Sequence, residues 1–236
     1  MMEKIFKLIK NLLLMKVYRT AGLTAVWRYM GKVDDKAIKK VNLPTRIIGT
    51  VLGLLDRNTV LTIKERTKNI DSFIKKFKPK TIVEIGAGLS ARKTRFKNIK
   101  FYELDLKHFK KIKHEIIEYN IGKDNLNLKI NNALFIVEGV SMYLQEKQVL
   151  NLLKQIKIYK GKIIIDFFNR EYSTKKKLNE KIFKFLFISF IKDSFNFRID
   201  NNKEGIYLLK KLGYKNIRFK DYKVKKTLDV LFYADL

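Results

Sequence analysis

The 236-residue chain contains no cysteine, which excludes a disulfide framework, a thiolate metal site and a catalytic thiol. Histidine is almost as scarce. His108 and His114 are the only two; they sit in a Lys-rich stretch that reads as helical, outside any metal-ligand spacing such as H-E-x-x-H, and both are expected to be exposed. There are only two prolines, with no Pro- or Gly-rich linker and no internal repeat, so nothing suggests a second domain. Acidic residues are few: 23 Asp and Glu stand against 52 Lys and Arg, a formal net charge of +29. Such an excess suits nucleic acid or an anionic membrane surface. Lysine is nevertheless spread along the whole chain rather than gathered into an arm or recognition motif, so it reads first as a solvated basic surface, with a nucleic-acid partner as the lesser alternative.

What the chain does have is core. Its residues are 46% hydrophobic, with 17 Phe and 11 Tyr, enough for one well-filled domain. Residues 1–78 read as helices separated by turns at Asp34-Asp35 and Asn42-Leu43-Pro44, forming a cover over a core that spans 79–236. At the start, Lys4, Lys7 and Lys10 interrupt the apolar residues between Met1 and Met15. That pattern is too broken for a signal sequence or a membrane span and reads as an amphipathic helix, either a lid over the site or a peripheral membrane contact. A cytoplasmic location is expected. Past Pro79, β-rich runs at Thr81–Ile85, Lys100–Leu104, Leu134–Val137 and Lys162–Phe167 alternate with helical stretches, the pattern of a parallel sheet covered on both faces. A helix at Glu204–Leu212 then leads to strands at Lys215–Phe219 and Leu228–Tyr233, expected to pair antiparallel across their short connection.

The stretch Thr81-Ile82-Val83-Glu84-Ile85-Gly86-Ala87-Gly88 is an apolar strand entering a Gly-x-Gly turn, where a ligand against the backbone leaves no room for a Cβ. A helix is expected after the turn. About 20 residues on, Phe101–Asp105 forms a second strand ending in an acid that can accept from both ribose hydroxyls. Two cofactor classes fit. Gly86-x-Gly88-x-x-Ala91 satisfies the dinucleotide fingerprint of NAD, whose pyrophosphate favours bare helix N-terminal amides. S-adenosylmethionine brings an ammonium and a sulfonium, which favour carboxylates. Glu84 before the turn and Glu138 at the end of a later strand tip the reading toward S-adenosylmethionine. Asp166 and Asn169 fall on the edge where open α/β sheets bind ligands; Asp166 is a candidate general base, or equally a cap or turn residue. Phe183, Phe185, Phe187, Phe190, Phe195 and Phe197 line an apolar pocket on one reading and fill the core on the other.

Four blocks, Glu65–Asp71, Val83–Arg92, Tyr102–Leu106 and Val137–Leu144, agree in order and spacing with the leucine carboxyl methyltransferase family, which includes bacterial O-methyltransferases associated with polyketide-type products. The chain resembles that family over roughly residues 60 to 235, most specifically at Glu138-Gly139-x-x-Met142-Tyr143-Leu144. The resemblance implies a Rossmann-like class I methyltransferase: a mostly parallel seven-stranded sheet with an antiparallel C-terminal strand, S-adenosylmethionine as cofactor and a small-molecule methyl acceptor. It implies that Arg66 pairs with the cofactor's carboxylate, a bidentate contact suited to Arg; on the residues alone Arg66 reads as a surface residue of a charged helix. Gly86, Ala87 and Gly88 would lie beside the methionine moiety, Asp105 and Leu106 at the ribose, Glu138 near the amino end and Tyr143 at the mouth of the substrate pocket. Arg92 and Arg95 match the family pattern as structural ion pairs, and Glu103 reads as a salt bridge more readily than as a second ribose acid. The segment Ile121 to Asn132 is shorter than in the family, leaving Asp124, Asn125 or Asn131 as candidate adenine contacts. Two alternatives remain: an RNA-directed methyltransferase, for which no appended RNA module is seen, and a non-catalytic protein retaining the fold.

Overall fold

The structure is a computed structural model in which residues 16–169, 196–220, 222 and 229–236 are described. Three helices come first. Helix α1 (Lys16–Met30) packs on α2 (Leu43–Leu55), and α3 (Arg57–Phe77) follows directly. Asn42 starts α2 by accepting the Thr45 N–H at 3.0 Å, with a proline in the first turn, where the missing N–H costs nothing. Gly49 and Gly53 let α2 approach α1 closely, since a Cβ at these positions would lie 3.0 Å from Val26 Cβ and 2.9 Å from Met30 Sδ. The indole of Trp27 donates to Gly49 O at 2.9 Å across the same contact. Leu23, Val26, Trp27 and Leu52 then form a buried cluster that takes in Leu89, Phe109 and Ile116 from the sheet's loops. The cover is thus packed onto the ends of the strands.

Asp56 caps α3, accepting from Asn58 N at 3.1 Å and from Thr59 Oγ1 at 2.7 Å. Val60, Ile63, Arg66, Thr67, Ile70 and Ile74 recur at three- and four-residue steps along its buried face, so the helix period itself turns Arg66 inward. Lys78, in the left-handed region at φ 45°, ends the helix just before Pro79.

The sheet comprises β1 (Thr81–Ile85), β2 (Lys100–Asp105), β3 (Ile117–Glu118), β4 (Ala133–Val137), β5 (Gly161–Phe168), β6 (Lys215–Lys220) and β7 (Asp229–Asp235), in the order β3-β2-β1-β4-β5-β7-β6. Strands β1 to β5 run parallel, and β7 lies antiparallel between β5 and β6. On β4, Leu134 and Ile136 meet Ile70 and Ile74 of α3, while Phe135 and Val137 meet Leu152 and Ile156 of α5 (Glu146–Lys157). Both faces of the central strand are therefore covered, as its unbroken apolar run requires. Helix α6 (Asn202–Lys211) packs on the same side as α5 through Leu209.

The sheet is the mostly parallel, seven-stranded one that the resemblance implied, and the strands read from the sequence are present. Two readings are corrected, and one strand was not read. The helix expected after the Gly-x-Gly turn is a single turn, here α4 (Arg92–Arg95), because Arg92 is drawn inside by acidic partners. The two-residue β3 had no pattern long enough to read. His108 is half-buried beside Phe109, which the 3-10 turn Lys107–Lys111 tucks into the cover, and burial lowers its imidazole pKa; His114 is exposed as expected. Among the described residues no helix is long and apolar enough to cross a membrane. The reading of Met1–Met15 and that of Phe183 through Phe195 lie outside the described residues; Phe197 packs in the core against Phe167.

Candidate functional site

Neighbouring β1 and β4 are where the strand order reverses, and the crevice beyond their C-terminal ends is where such sheets hold ligands. The turn after β1 is tied to β2 through its backbone. Gly86 N and Ala87 N both donate to Leu104 O, at 2.8 and 3.2 Å. Gly88 N donates to Asp105 Oδ2 at 2.6 Å, and Leu106 N to Asp105 Oδ1 at 2.7 Å. Gly86 needs to be glycine twice over: its φ is +69°, and a Cβ there would stand 2.2 Å from Val140 Cγ2. Burial pushes the Asp105 carboxyl up to about 6, against the two backbone N–H donors that favour its ionised form.

A cavity of about 400 Å³ opens over this turn. Its walls come from widely separated parts of the chain. Helix α1 supplies Thr20, Thr24 and Arg28, spaced four residues apart and so on one face. Helix α3 supplies Arg66; the β1 and β2 ends supply Gly86 to Gly88, Asp105 and Leu106; the residues after β3 supply Tyr119, Asn120 and Ile121; and the segment after β4 supplies Glu138, Gly139 and Tyr143.

Behind the wall lies a buried ion network. Glu138 Oε1 accepts from Arg28 Nη2 at 2.7 Å and from Arg66 Nε at 3.0 Å, while its Oε2 accepts from Arg92 Nη2 at 2.7 Å. Burial alone would raise the Glu138 carboxyl; Arg28, Arg92 and Arg66 hold it well below the usual carboxylate range. Arg66 Nη1 reaches Asp166 Oδ2 at 2.8 Å, and Gly139 N donates to the same carboxylate at 2.9 and 3.0 Å. Arg92, fully buried, pairs with Glu84 and with Asp71. Burial disfavours its charge, but Glu84, Glu138 and Asp71 outweigh that and raise its pKa. Arg95 extends the network to Asp71 and Asp34. Removing one member would strand a buried charge.

Of the residues singled out from the sequence, Arg66, Gly86, Ala87, Gly88, Asp105, Leu106, Glu138 and Tyr143 stand together on this cavity. Glu84 and Asp166 do not line it. Glu84 is turned onto Arg92, and Asp166, with no exposed surface, is spent on Arg66 and Gly139 N. Asn169 is likewise buried and donates to Asn202 Oδ1. Arg92, Arg95 and Glu103 are in ion pairs, the last with Lys113. Asp124, Asn125 and Asn131 are exposed and do not line the cavity, whereas Tyr119, Asn120 and Ile121 do. Sequence reasoning also missed Arg28. The Thr20-x-x-x-Thr24-x-x-x-Arg28 stripe, at four-residue spacing on one helix, was the available signal.

No family model matches the chain, and no curated protein does. Solved structures do. A DUF574 family protein from Streptomyces avermitilis superposes with a TM-score of 0.61 at 7% identity, covering 90% of this chain and 96% of that one. A SAM-dependent methyltransferase from Archaeoglobus fulgidus gives 0.50 at 10% identity over 72% and 94% of the two chains. Human N-acetylserotonin methyltransferase in complex with SAM gives 0.50 at 16% identity, covering 82% of this chain, which spans 59% of the human enzyme's length. At these identities the likeness is one of fold: the chain has the class I methyltransferase fold.

Proposed function

We propose that this chain, on the class I fold it shares with those structures, binds S-adenosylmethionine in the cavity and methylates an oxygen of a small-molecule acceptor, a carboxylate first and a hydroxyl second. The observation that carries the reading is the charge layout of one wall. Arg28 and Arg66 share Glu138 on one side of the Gly86–Gly88 turn, and Asp105 stands on the other. A group carrying its own carboxylate and ammonium suits such a balanced end, and Arg28, on the cavity wall, keeps a buried Nε with no hydrogen-bond partner, a donor suited to a carboxylate oxygen.

The residues present fit the cofactor. Arg66 and Arg28 would hold its carboxylate, Gly86 to Gly88 would let its methionine part lie against backbone, Asp105 would take the ribose hydroxyls, and Leu106 with Tyr119 to Ile121 would flank adenine. Bound there, S-adenosylmethionine supplies a methyl group already activated by its sulfonium. The protein's own work is then positioning. Asp166 fixes Arg66 and the Gly139 amide, and Glu138 spaces the two arginines. Tyr143 stands where an acceptor would enter. The two acids of the described lining, Asp105 and Glu138, are both engaged, which favours an acceptor oxygen that arrives already ionised. The four-residue α4 argues against a dinucleotide, because it offers a pyrophosphate almost no aligned helix dipole.

Transfer of labelled methyl groups from S-adenosylmethionine to a panel of aliphatic and aromatic carboxylic acids, with phenols alongside, tests the proposal. Base-labile labelled product from an acid supports carboxyl methylation; label appearing only in phenols moves the acceptor to hydroxyls. Label in RNA and in no small molecule would overturn the reading.

A further inference from the structure

The outer face of α2 is apolar and open. Leu43, Ile47, Val51 and Leu54 are 67, 57, 47 and 59% exposed, at steps of four, four and three residues, which aligns them in one stripe on the helix. At 1.5 Å per residue the stripe is about 17 Å long. The opposite face, with Thr45, Gly49, Leu52 and Gly53, is the one seated in the protein, so α2 is apolar on two sides. Other exposed apolar side chains, such as Ile158 and Tyr207, stand apart from one another along the chain, whereas these four are contiguous.

Charge indicates what covers the stripe. From Lys36 to Leu55 the chain holds Lys36, Lys39, Lys40 and Arg46 and no acidic residue. Lys36, Lys39 and Lys40 are exposed ahead of α2, and Arg57 is exposed beyond it; Asp56, between, is engaged in capping α3. An apolar stripe with cations at both ends matches a lipid surface carrying anionic headgroups. A second copy of a chain with net charge +29 would bring like charge to the same face. With 13 residues, α2 is about 20 Å long, too short to cross a hydrocarbon core of about 30 Å.

We propose that α2 is an interfacial helix that seats this chain on an anionic lipid surface, with Leu43, Ile47, Val51 and Leu54 entering the headgroup boundary and Lys36, Lys39, Lys40 and Arg57 facing phosphates. The contact is independent of the cavity's cofactor, although α1, on which α2 rides, carries Thr20, Thr24 and Arg28 to the cavity wall.

The test uses the full chain with vesicles of phosphatidylcholine alone or with about 30% phosphatidylglycerol, read by co-sedimentation. The wild type is expected to sediment with the anionic vesicles and less with the neutral ones. A triple variant, Ile47→Ser, Val51→Ser and Leu54→Ser, is expected to lose about tenfold or more in partitioning with its thermal midpoint little changed, and Lys39→Glu with Lys40→Glu to lose the anionic preference. Thr50→Trp, exposed on the same side, gives a second readout that does not depend on the triple variant folding: the emission of the new indole shifts to the blue on vesicle addition, the native Trp27 being buried. Wild type that ignores the vesicles, a folded triple variant that sediments undiminished, unshifted emission from the Thr50→Trp variant, or a dimer that the triple variant splits without lipid would each overturn the proposal.

Discussion

Arg28 of α1 and Glu138 at the end of β4 are 110 residues apart in sequence and 2.7 Å apart in the fold. Through this contact the first described helix becomes part of the cavity wall rather than a separate cap. Arg28→Ala leaves Glu138 with Arg66 and Arg92, so the loss of stability is expected at about 1–3 kcal/mol. Cofactor affinity is expected to fall about tenfold or more. Urea unfolding and calorimetry on the same variant separate the two effects.

Glu138→Gln removes the charge that three arginines share. At neutral pH this is expected to cost about 3–5 kcal/mol. The sign of its pH dependence follows from a carboxyl held below its usual range in the fold. Such a group stabilises the fold above its unfolded pKa, and that contribution is lost as pH falls through the folded value. Denaturant titrations from neutral pH down through 4 should therefore show wild type and variant converging on acidification.

Asp105 has the opposite sign. Its carboxyl, pushed up to about 6 by burial, contributes stability below its unfolded pKa that is lost as pH rises through about 6. Ribose hydroxyls donate to the ionised form and would lower its pKa in the complex. Binding of S-adenosylmethionine is thus expected to release a proton near pH 6, and affinity to fall by up to about tenfold per pH unit below that. Calorimetry in two buffers of different ionisation heat reads the proton directly, and in Asp105→Asn the dependence should vanish.

Asp166 offers a choice between roles. As the holder of Arg66 and of the Gly139 amide, it is a positioning residue, and Asp166→Asn should weaken cofactor binding while leaving the pH–rate profile unshifted. A variant that binds normally but loses the acid limb of that profile would make Asp166 a general base instead.

Gly86→Ala places a methyl group 2.2 Å from Val140 Cγ2 at a φ of +69°. The left-handed backbone and the overpacking together are expected to cost roughly 2–5 kcal/mol. Val140→Ala should restore only the packing share, which thermal melts of the single and double variants would resolve.

How much of this was legible in the sequence depends on how local each signal is. β4 is an unbroken apolar run, β1 and β5 are largely apolar with one acid each, and the Gly86–Gly88 turn and Asp105 follow at fixed distances, so that half of the site could be read directly. β3 could not, because two residues show no periodicity, and with it went Tyr119 and Asn120. On the residues alone Arg66 reads as one more surface cation; the resemblance gave it a cofactor contact, and the buried face of α3 turns it inward. Glu84 was read as a cofactor acid because it precedes the turn; its partner Arg92, eight residues on, was visible, but not that the helix after the turn would stop after four residues to bring the two together. The four-residue spacing of Thr20, Thr24 and Arg28 marks a polar stripe, but the partner of Arg28 lies across the whole fold, which no local pattern encodes.

The most direct test of the account is calorimetric titration of S-adenosylmethionine, S-adenosylhomocysteine and NAD into the wild type and Asp105→Ala. Binding of the first two on the order of micromolar, none of NAD, and a loss of about tenfold or more in the variant are expected. NAD bound in place of S-adenosylmethionine, or a folded wild type that binds none of the three, would contradict it.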